Sequence, residues 1–194
     1  MPKASPSTTA RRPRTDAQRN RERLLEVARV AFTEHGAEAT LDDIARRAEV
    51  GPGTLYRHFP TRDALVEAVF RDEVAKLTSA AHRFAVELTP VEALRAWMLK
   101  FIDYVVRKLL ILPAMNTVPG GSERLIEGSR SEIHNTFQSL VLRAVERKEL
   151  RADTNPDDLF RAFIGLFHTT SLPGWEASAR RIVGILLDGS RPMP

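Results

Sequence analysis

The stretch from Thr40 to Leu65, which reads TLDDIARRAEVGPGTLYRHFPTRDAL, constrains the fold more than any other part of the chain. Thr40 is a residue type that caps helices, and Asp43, three positions on, completes a capping box and places a negative charge at the positive end of a helix. Residues 49–51 then interrupt the pattern, and Pro52 suits the first position of a second helix. The stretch therefore predicts two short helices joined by a tight turn.

The apolar residues of these two helices fall on one side. Leu41, Ile44, Ala45 and Ala48 share a face of the first helix. Leu55 and Phe59 are four apart in the second and point inward, which leaves an outward face of Thr54, Tyr56, Arg57 and His58. Such side chains bond phosphate oxygens and base edges, so the pair is predicted to bind DNA. A solvated helical hairpin would show the same pattern.

The stretch closely resembles the helix-turn-helix signature of the TetR family of bacterial repressors, in which the segment GTLYRHF is the recognition helix. The resemblance is strong from near Arg19 to about Phe70, and beyond that it extends only to an all-helical layout. It implies an all-α protein, with an N-terminal three-helix DNA-binding domain and a C-terminal helical ligand-binding and dimerisation domain. Glu49 departs from the family, which usually has glycine at this position of the turn. A non-glycine residue with a positive φ is mildly strained, so the turn is expected to carry some strain.

The resemblance also implies which residues contact DNA. Thr54, Tyr56, Arg57 and His58 are expected to face DNA from the recognition helix. Arg57 is the candidate for base reading, because arginine pairs bidentately with guanine. The predicted set is completed by Gly53 and by three residues expected on phosphates, Thr40, Arg46 and Arg62.

The excess positive charge lies in the N-terminal part of the chain. Residues 1–62 carry twelve Lys/Arg against eight Asp/Glu, whereas residues 63–194 carry seventeen of each. Such an excess suits nucleic-acid binding, since binding releases counterions from the phosphates. Residues 1–15, rich in Pro, Ser, Thr and Arg, are predicted to be a disordered arm. Arg11, Arg12 and Arg14 would follow phosphates or enter a minor groove, or the arm is only a solubilising tail.

Neither an enzyme nor a cofactor is indicated. The chain has no cysteine, which excludes a disulfide, a thiolate nucleophile and a cysteine-ligated metal. Its five histidines are scattered without a metal-binding spacing, and there is no nucleophile elbow or glycine-rich phosphate loop. The N-terminus lacks an apolar segment, and no apolar run is long enough to span a bilayer. We therefore expect a cytoplasmic protein without a membrane contact.

About nine helices are predicted, and no strand-like alternation is present. The first helix covers about 16–35, with Gly36 as its C-terminal cap. The helices after the recognition helix are expected at about 62–87, 90–112, 114–118, 122–148, 156–172 and 176–187. The domains are then a basic arm at 1–15, a DNA-binding domain at 16–62 and a ligand-binding and dimerisation domain at 63–194. The helix at 62–87 joins the last two and is the expected mechanical link.

The C-terminal domain is expected to hold an apolar pocket with few polar groups, as small-molecule sites usually do. Its predicted lining is Trp97, Phe101, Tyr104, Met115, Phe137, Phe167 and His168, with Tyr104 and His168 as polar contacts. Each of these residues taken singly also fits ordinary core packing. The resemblance further implies a homodimer through the last two long helices, with Phe160, Phe163, Ile164, Ile182, Val183 and Leu186 at the interface. The same apolar faces would otherwise close the core of a monomer.

These features predict a sequence-specific DNA-binding transcriptional regulator. The resemblance favours a homodimeric repressor of a palindromic operator in double-stranded DNA, released by an unknown small-molecule effector. The alternative is a helical ligand-binding or scaffold protein whose helix-turn-helix contacts a protein partner. The salt dependence of DNA binding separates the two, because only phosphate contacts release counterions.

Overall fold

The computed structural model describes residues 13–192, and all regular structure in this range is helical. The eight α-helices are α1 Pro13–His35, α2 Leu41–Arg47, α3 Pro52–His58, α4 Arg62–Glu87, α5 Pro90–Met115, α6 Gly121–Glu146, α7 Pro156–Gly165 and α8 Trp175–Gly189. Short 3₁₀ helices follow α1 at Gly36–Glu38 and α7 at Leu166–Thr169. The all-α fold is thereby confirmed. None of the described helices is long and apolar enough to cross a membrane.

Three predicted boundaries were wrong. The predicted arm lies outside the described residues up to position 12, but residues 13–15 already belong to α1. The separate helix predicted at 114–118 does not form, because α5 continues through Pro113 to Met115. In the last turn of α5, a proline removes only one of the final helix hydrogen bonds. Finally, α7 ends at Gly165, a residue that is unfavourable inside a helix, and the chain continues as a tighter 3₁₀ turn.

The starts of the helices agree with the capping residues in the sequence. Thr40 Oγ1 accepts a hydrogen bond from the Asp43 backbone N–H at 3.2 Å. Thr61 Oγ1 accepts one from Ala64 at 3.1 Å, and the Asn155 side chain accepts one from Asp157 at 2.8 Å. These side chains satisfy backbone donors that have no partner inside the helix. The first two caps fix where α2 and α4 begin on either side of α3.

One continuous hydrophobic core runs through the described part of the chain. It extends from Leu24 and Phe32 in α1, across Phe70 in α4, to Trp97 in α5 and Phe137 in α6. The indole N–H of the completely buried Trp97 donates to the Leu77 carbonyl of α4 at 3.1 Å, which satisfies its only polar group. Because α4 and α5 pack against both α1 and α6, they join the N-terminal helices to the C-terminal ones.

A buried carboxylate marks the junction of α1, α4 and α5. Glu73 of α4 is only 4% exposed. Its carboxylate accepts a hydrogen bond from Arg107 Nε of α5 at 2.5 Å and lies 4.0 Å from Arg29 Nε of α1. Lys76 Nζ approaches it to 3.8 Å. A carboxylate removed from water in this way requires such partners, so the three helices are held in one arrangement.

Replacing Glu73 with Gln should lower the free energy of unfolding by about 1–3 kcal/mol, because Arg107 and Arg29 lose their shared counter-ion. Urea unfolding followed by circular dichroism measures the change. Glu87→Gln on the same helix is the matched control, since Glu87 makes only an exposed pair with Arg83 at 4.0 Å and should cost less than about 1 kcal/mol. Equal losses in the two variants would contradict the role given to Glu73.

Candidate nucleic-acid interface

The turn between α2 and α3 is built around a left-handed residue. Glu49 has a φ of 52°, which is uncommon for a residue other than glycine. Its backbone N–H donates to the Arg46 carbonyl at 3.1 Å, and the next N–H, of Val50, donates to Ala45 at 3.1 Å. Arg23 Nη2 of α1 pairs with the Glu49 carboxylate at 2.7 Å. The turn therefore keeps the helix-turn-helix geometry although glycine is absent.

The inner face of α3 is anchored as the sequence predicts. Leu55 is completely buried and Phe59 nearly so, and both belong to the continuous core. The Arg21 guanidinium of α1 lies 5.4 Å from the centre of the Phe59 ring, a cation–π distance. Tyr56 and Arg57 on the opposite face are exposed. The helix thus presents one side to the solvent while the other is fixed to α1 and α2.

The Arg57 side chain on the exposed face of α3 hydrogen-bonds within its own helix. Arg57 Nε donates to the Gly53 carbonyl at 3.0 Å, and its Nη2 donates to Thr54 Oγ1 at 3.2 Å. These bonds lie in water and are worth little, so DNA can replace them. A Cβ placed on Gly53 would have no heavy atom within 4 Å, so nothing inside the protein requires glycine there. The half-exposed His58 lies at the end of the same face.

Two residues at α2 flank this face. Thr40 uses its hydroxyl oxygen as the acceptor of the helix cap, which leaves the O–H available as a donor. Arg46 is exposed and pairs with the Asp43 carboxylate, which also accepts from Arg47 Nε at 2.8 Å. The hydrogen bond from Arg46, together with the positive charges of both arginines, lowers the pKa of Asp43. Arg46 therefore exchanges one anionic partner for another if it meets a phosphate.

Arg62 does not have the environment expected of a phosphate contact. Its guanidinium donates to the carbonyls of Gly36, Ala37 and Ala39 at 3.0–3.3 Å and to Thr117 Oγ1 at 2.6 Å. It also lies 5.3 Å from the centre of the Phe32 ring. These partners occupy the donors that a phosphate would need, so we assign Arg62 to holding the structure together. Sequence reasoning missed this role because the partners are 23 to 55 positions away.

The end of α5 packs directly against the connection between α1 and α2. A Cβ on Gly36 would lie 3.3 Å from Pro113 Cβ of α5, so the two backbones approach closely there. Gly36 also has a φ of 54°, which favours glycine. Thr117, which follows α5, accepts the Arg62 hydrogen bond. The DNA-binding helices therefore contact α5 as well as α4, the helix predicted to be the link.

A cavity of about 470 Å³ lies between α5, α6 and the segment from α7 to the following 3₁₀ helix. Of the predicted pocket residues, Phe101, Tyr104, Phe167 and His168 line it. Burial raises the pKa of Tyr104, so its hydroxyl stays protonated at neutral pH. The other predicted lining residues, Trp97, Met115 and Phe137, are completely buried in the core and do not line the cavity. Lys108 and Arg130 also line the cavity. They were not predicted, because nothing in the sequence around an isolated basic residue indicates that it faces a cavity.

The residues predicted for the dimer interface lie in three different environments. Phe163 and Val183 are completely buried within one chain, so their assignment to an interface was wrong: they pack in the protomer's own core. Phe160 and Ile164 line the cavity. Ile182 and Leu186 of α8 are partly exposed, and the neighbouring Ile185, which was not predicted, is 68% exposed.

The fold and this surface define a class of protein: an all-α DNA-binding protein with an N-terminal helix-turn-helix and a C-terminal helical domain that contains a cavity. Residues 24–69 match the profile described as "Bacterial regulatory proteins, tetR family". A TetR transcriptional regulator from Streptomyces coelicolor, SCO0520, is 42% identical, with 90% of this chain and 99% of that one covered and a TM-score of 0.76.

Two further proteins agree with these matches. A TetR regulator from Mycobacterium vanbaalenii is 32% identical over 92% of this chain and 99% of its own, with a TM-score of 0.73. The regulator UidR of Escherichia coli K12 is 28% identical over 154 residues, 74% of this chain and 73% of UidR. The chain therefore belongs to the TetR family and is a DNA-binding transcriptional regulator.

Replacing Arg57 with Ala should cost about 1–3 kcal/mol of binding free energy and relax the preference at one position of the binding site, because a bidentate pair with a base is lost. A binding site is first selected from random double-stranded DNA. Fluorescence anisotropy then measures the affinity of the wild type and the variant for a panel of single-base variants of that site, which gives both effects. Arg71→Ala on α4, an exposed arginine outside the interface, is the control. A loss of equal size on every sequence would instead make Arg57 a phosphate contact.

Proposed function

We propose that this regulator is a homodimeric repressor that binds a palindromic operator through α3 and releases it when a small molecule enters the cavity. The observation that carries the proposal is the position of α5. The end of this helix packs against Gly36 in the α1–α2 connection, and Thr117, just after it, accepts a hydrogen bond from Arg62 at the start of α4. Residues 101–108 of the same helix form a wall of the cavity. A single element thus touches both sites.

The DNA contacts follow from the exposed face. Tyr56 and Arg57 project from α3 to read base edges, with Thr54 and His58 beside them. Thr40 and Arg46 bond phosphates from α2, and Gly53 lets the backbone of α3 come close to the DNA. Arg62 is left out of this set because its donors are engaged inside the protein.

The cavity between α5 and α6 is a better effector site than the groove between α4 and α6. That groove, of about 390 Å³, is lined by Arg71, Arg124 and Glu132 among others. Its charged groups are already paired, Arg124 and Arg71 with Glu67. The α5–α6 cavity has a wall of aromatic and aliphatic side chains, among them Phe101, which is the usual character of a small-molecule site.

Release of DNA requires that the effector bind two arrangements of α5 with different affinities. Phe101 packs against Phe167 and Phe163, each at a ring-centre distance of 5.2 Å, so a ligand bound beside Phe101 contacts a cluster of packed rings from α5, α7 and the following 3₁₀ helix. Because packed cores switch between discrete arrangements, a shift of α5 would reach Pro113 and Thr117. Pro113 touches the α1–α2 connection at Gly36, and Thr117 accepts a hydrogen bond from Arg62 at the start of α4.

The dimer is proposed to form through α7 and α8. The outer face of α8 carries Ile185, 68% exposed, beside the partly exposed Ile182 and Leu186. Leu172, in the segment before α8, is also exposed. The same patch on two chains can pair about a two-fold axis, and a two-fold dimer doubles the number of base pairs that one short recognition helix reads.

Selection of binding sites by the purified protein from random double-stranded DNA, at near-physiological salt, tests the proposed function. An enriched palindrome is expected, because each protomer of the dimer contributes one recognition helix. Enrichment of a single half-site would contradict the dimer, and no enrichment by the folded protein would contradict palindrome recognition altogether.

Replacing Ile185 with Glu should shift the protein from dimer to monomer at micromolar concentration, because the charge would be buried in the apolar interface. Sedimentation velocity measures the shift. Val86→Glu is the control, since Val86 is 88% exposed on α4 and does not belong to the proposed patch. A dimer that survives Ile185→Glu unchanged would place the interface elsewhere.

A further inference from the structure

The cavity between α5 and α6 combines an apolar floor with a basic rim. Phe101, Tyr104 and Val105 form the floor and are buried. Three basic side chains come from three different elements: Lys108 from α5, Arg130 from α6 and His168 from the 3₁₀ helix after α7. The described lining residues include no Asp or Glu. The cavity is therefore electropositive at its mouth and apolar inside.

Lys108 and Arg130 differ from Arg107 and Arg180, two other cations of the C-terminal helices. Arg107 is paired with Glu73, and Arg180 is paired with Asp103 and Glu176. Among the side chains of residues 17–192, neither Lys108 nor Arg130 forms an ion pair. Ion pairs account for the positions of Arg107 and Arg180, but not for those of Lys108 and Arg130.

Lys108 is costly to maintain in this position without an anion. It is half-buried beside Phe101 and Tyr104, and this desolvation lowers the pKa of its ammonium group. An anion bound beside it would restore the favourable interaction that water supplies elsewhere. The cavity thus favours a ligand that brings a negative charge to Lys108 as well as an apolar body.

We propose that the effector of this regulator is an amphipathic carboxylate, whose apolar body occupies the floor of the cavity and whose carboxylate pairs with Lys108 and Arg130. This assignment of ligand class rests on the proposed function, in which this cavity is the effector site. Arginine and lysine both bind carboxylates, and Arg130 can do so with two parallel hydrogen bonds.

The lining disfavours two other classes of ligand, neutral apolar molecules and molecules with several phosphates. A neutral apolar ligand would cover Lys108 and leave its charge without a partner, which is unfavourable. A ligand with several phosphates would place charge against Phe101, Phe160 and Phe167, which cannot solvate it. A single negative charge on an aromatic or aliphatic body matches both parts of the cavity.

Isothermal titration calorimetry with 2-naphthoate and 2-naphthamide tests the proposal, because the two probes have nearly the same shape and differ in charge. We expect 2-naphthoate to bind once per protomer and at least about tenfold more tightly than the amide. Lys108→Met should abolish this preference, since methionine keeps the apolar volume but removes the charge. Arg130→Gln should reduce it. Lys100→Met, on the same helix but outside the cavity, is the control and should leave it unchanged.

Equal binding of the two probes, tighter binding of the amide, or no binding of either would overturn the ligand class. A preference that persists in Lys108→Met would place the anion outside this cavity and overturn the site. Selection of DNA sites by the same protein preparations keeps the two proposals apart. Palindrome enrichment together with a failed probe test would overturn only the carboxylate assignment, whereas a lack of enrichment would contradict the proposed function itself.

Discussion

The guanidinium of Arg62 holds together the parts of this protein that must act together. It stands at the first residue of α4, and it bonds three carbonyls of the α1–α2 connection and the hydroxyl of Thr117 after α5. Gly36, Ala37 and Ala39 lie in the connection between α1 and α2, and Arg62 supplies hydrogen-bond donors to their carbonyls. This side chain and the close Gly36–Pro113 contact therefore link the α1–α2 connection to the end of α5.

This junction connects the N-terminal helices to the cavity through α5. The buried Glu73 ties α1, α4 and α5 together, and the aromatic side chains Phe101 and Tyr104 of α5 form part of the cavity floor. Coupling between two sites needs an element that both sites contact and that has more than one stable arrangement. Here α5 contacts both the junction at Arg62 and the cavity. A shift of α5 between two packings of the aromatic rings would supply the second arrangement.

The sequence predicted those features that depend on neighbouring residues. The cap at Thr40 and the inward Leu55 could be found because each depends on residues three or four positions away. The role of Arg62, the burial of Phe163 and the basic rim at Lys108 and Arg130 depend on residues brought together from distant helices. An aromatic stripe has the same spacing whether it lines a cavity or fills a core, which is why Trp97 and Phe137 were assigned to the pocket.

Hydrogen exchange of backbone amides, measured by mass spectrometry on the wild type and on Arg62→Lys, tests the coupling most directly. Lysine keeps the charge but cannot donate to all four oxygens at once. We expect faster exchange on both sides of the junction, in α2–α3 and in residues 114–120, while Arg71→Lys, an exposed substitution on the same helix, changes neither. Faster exchange on one side alone, or on neither, would contradict the claim that Arg62 couples the DNA-binding helices to α5.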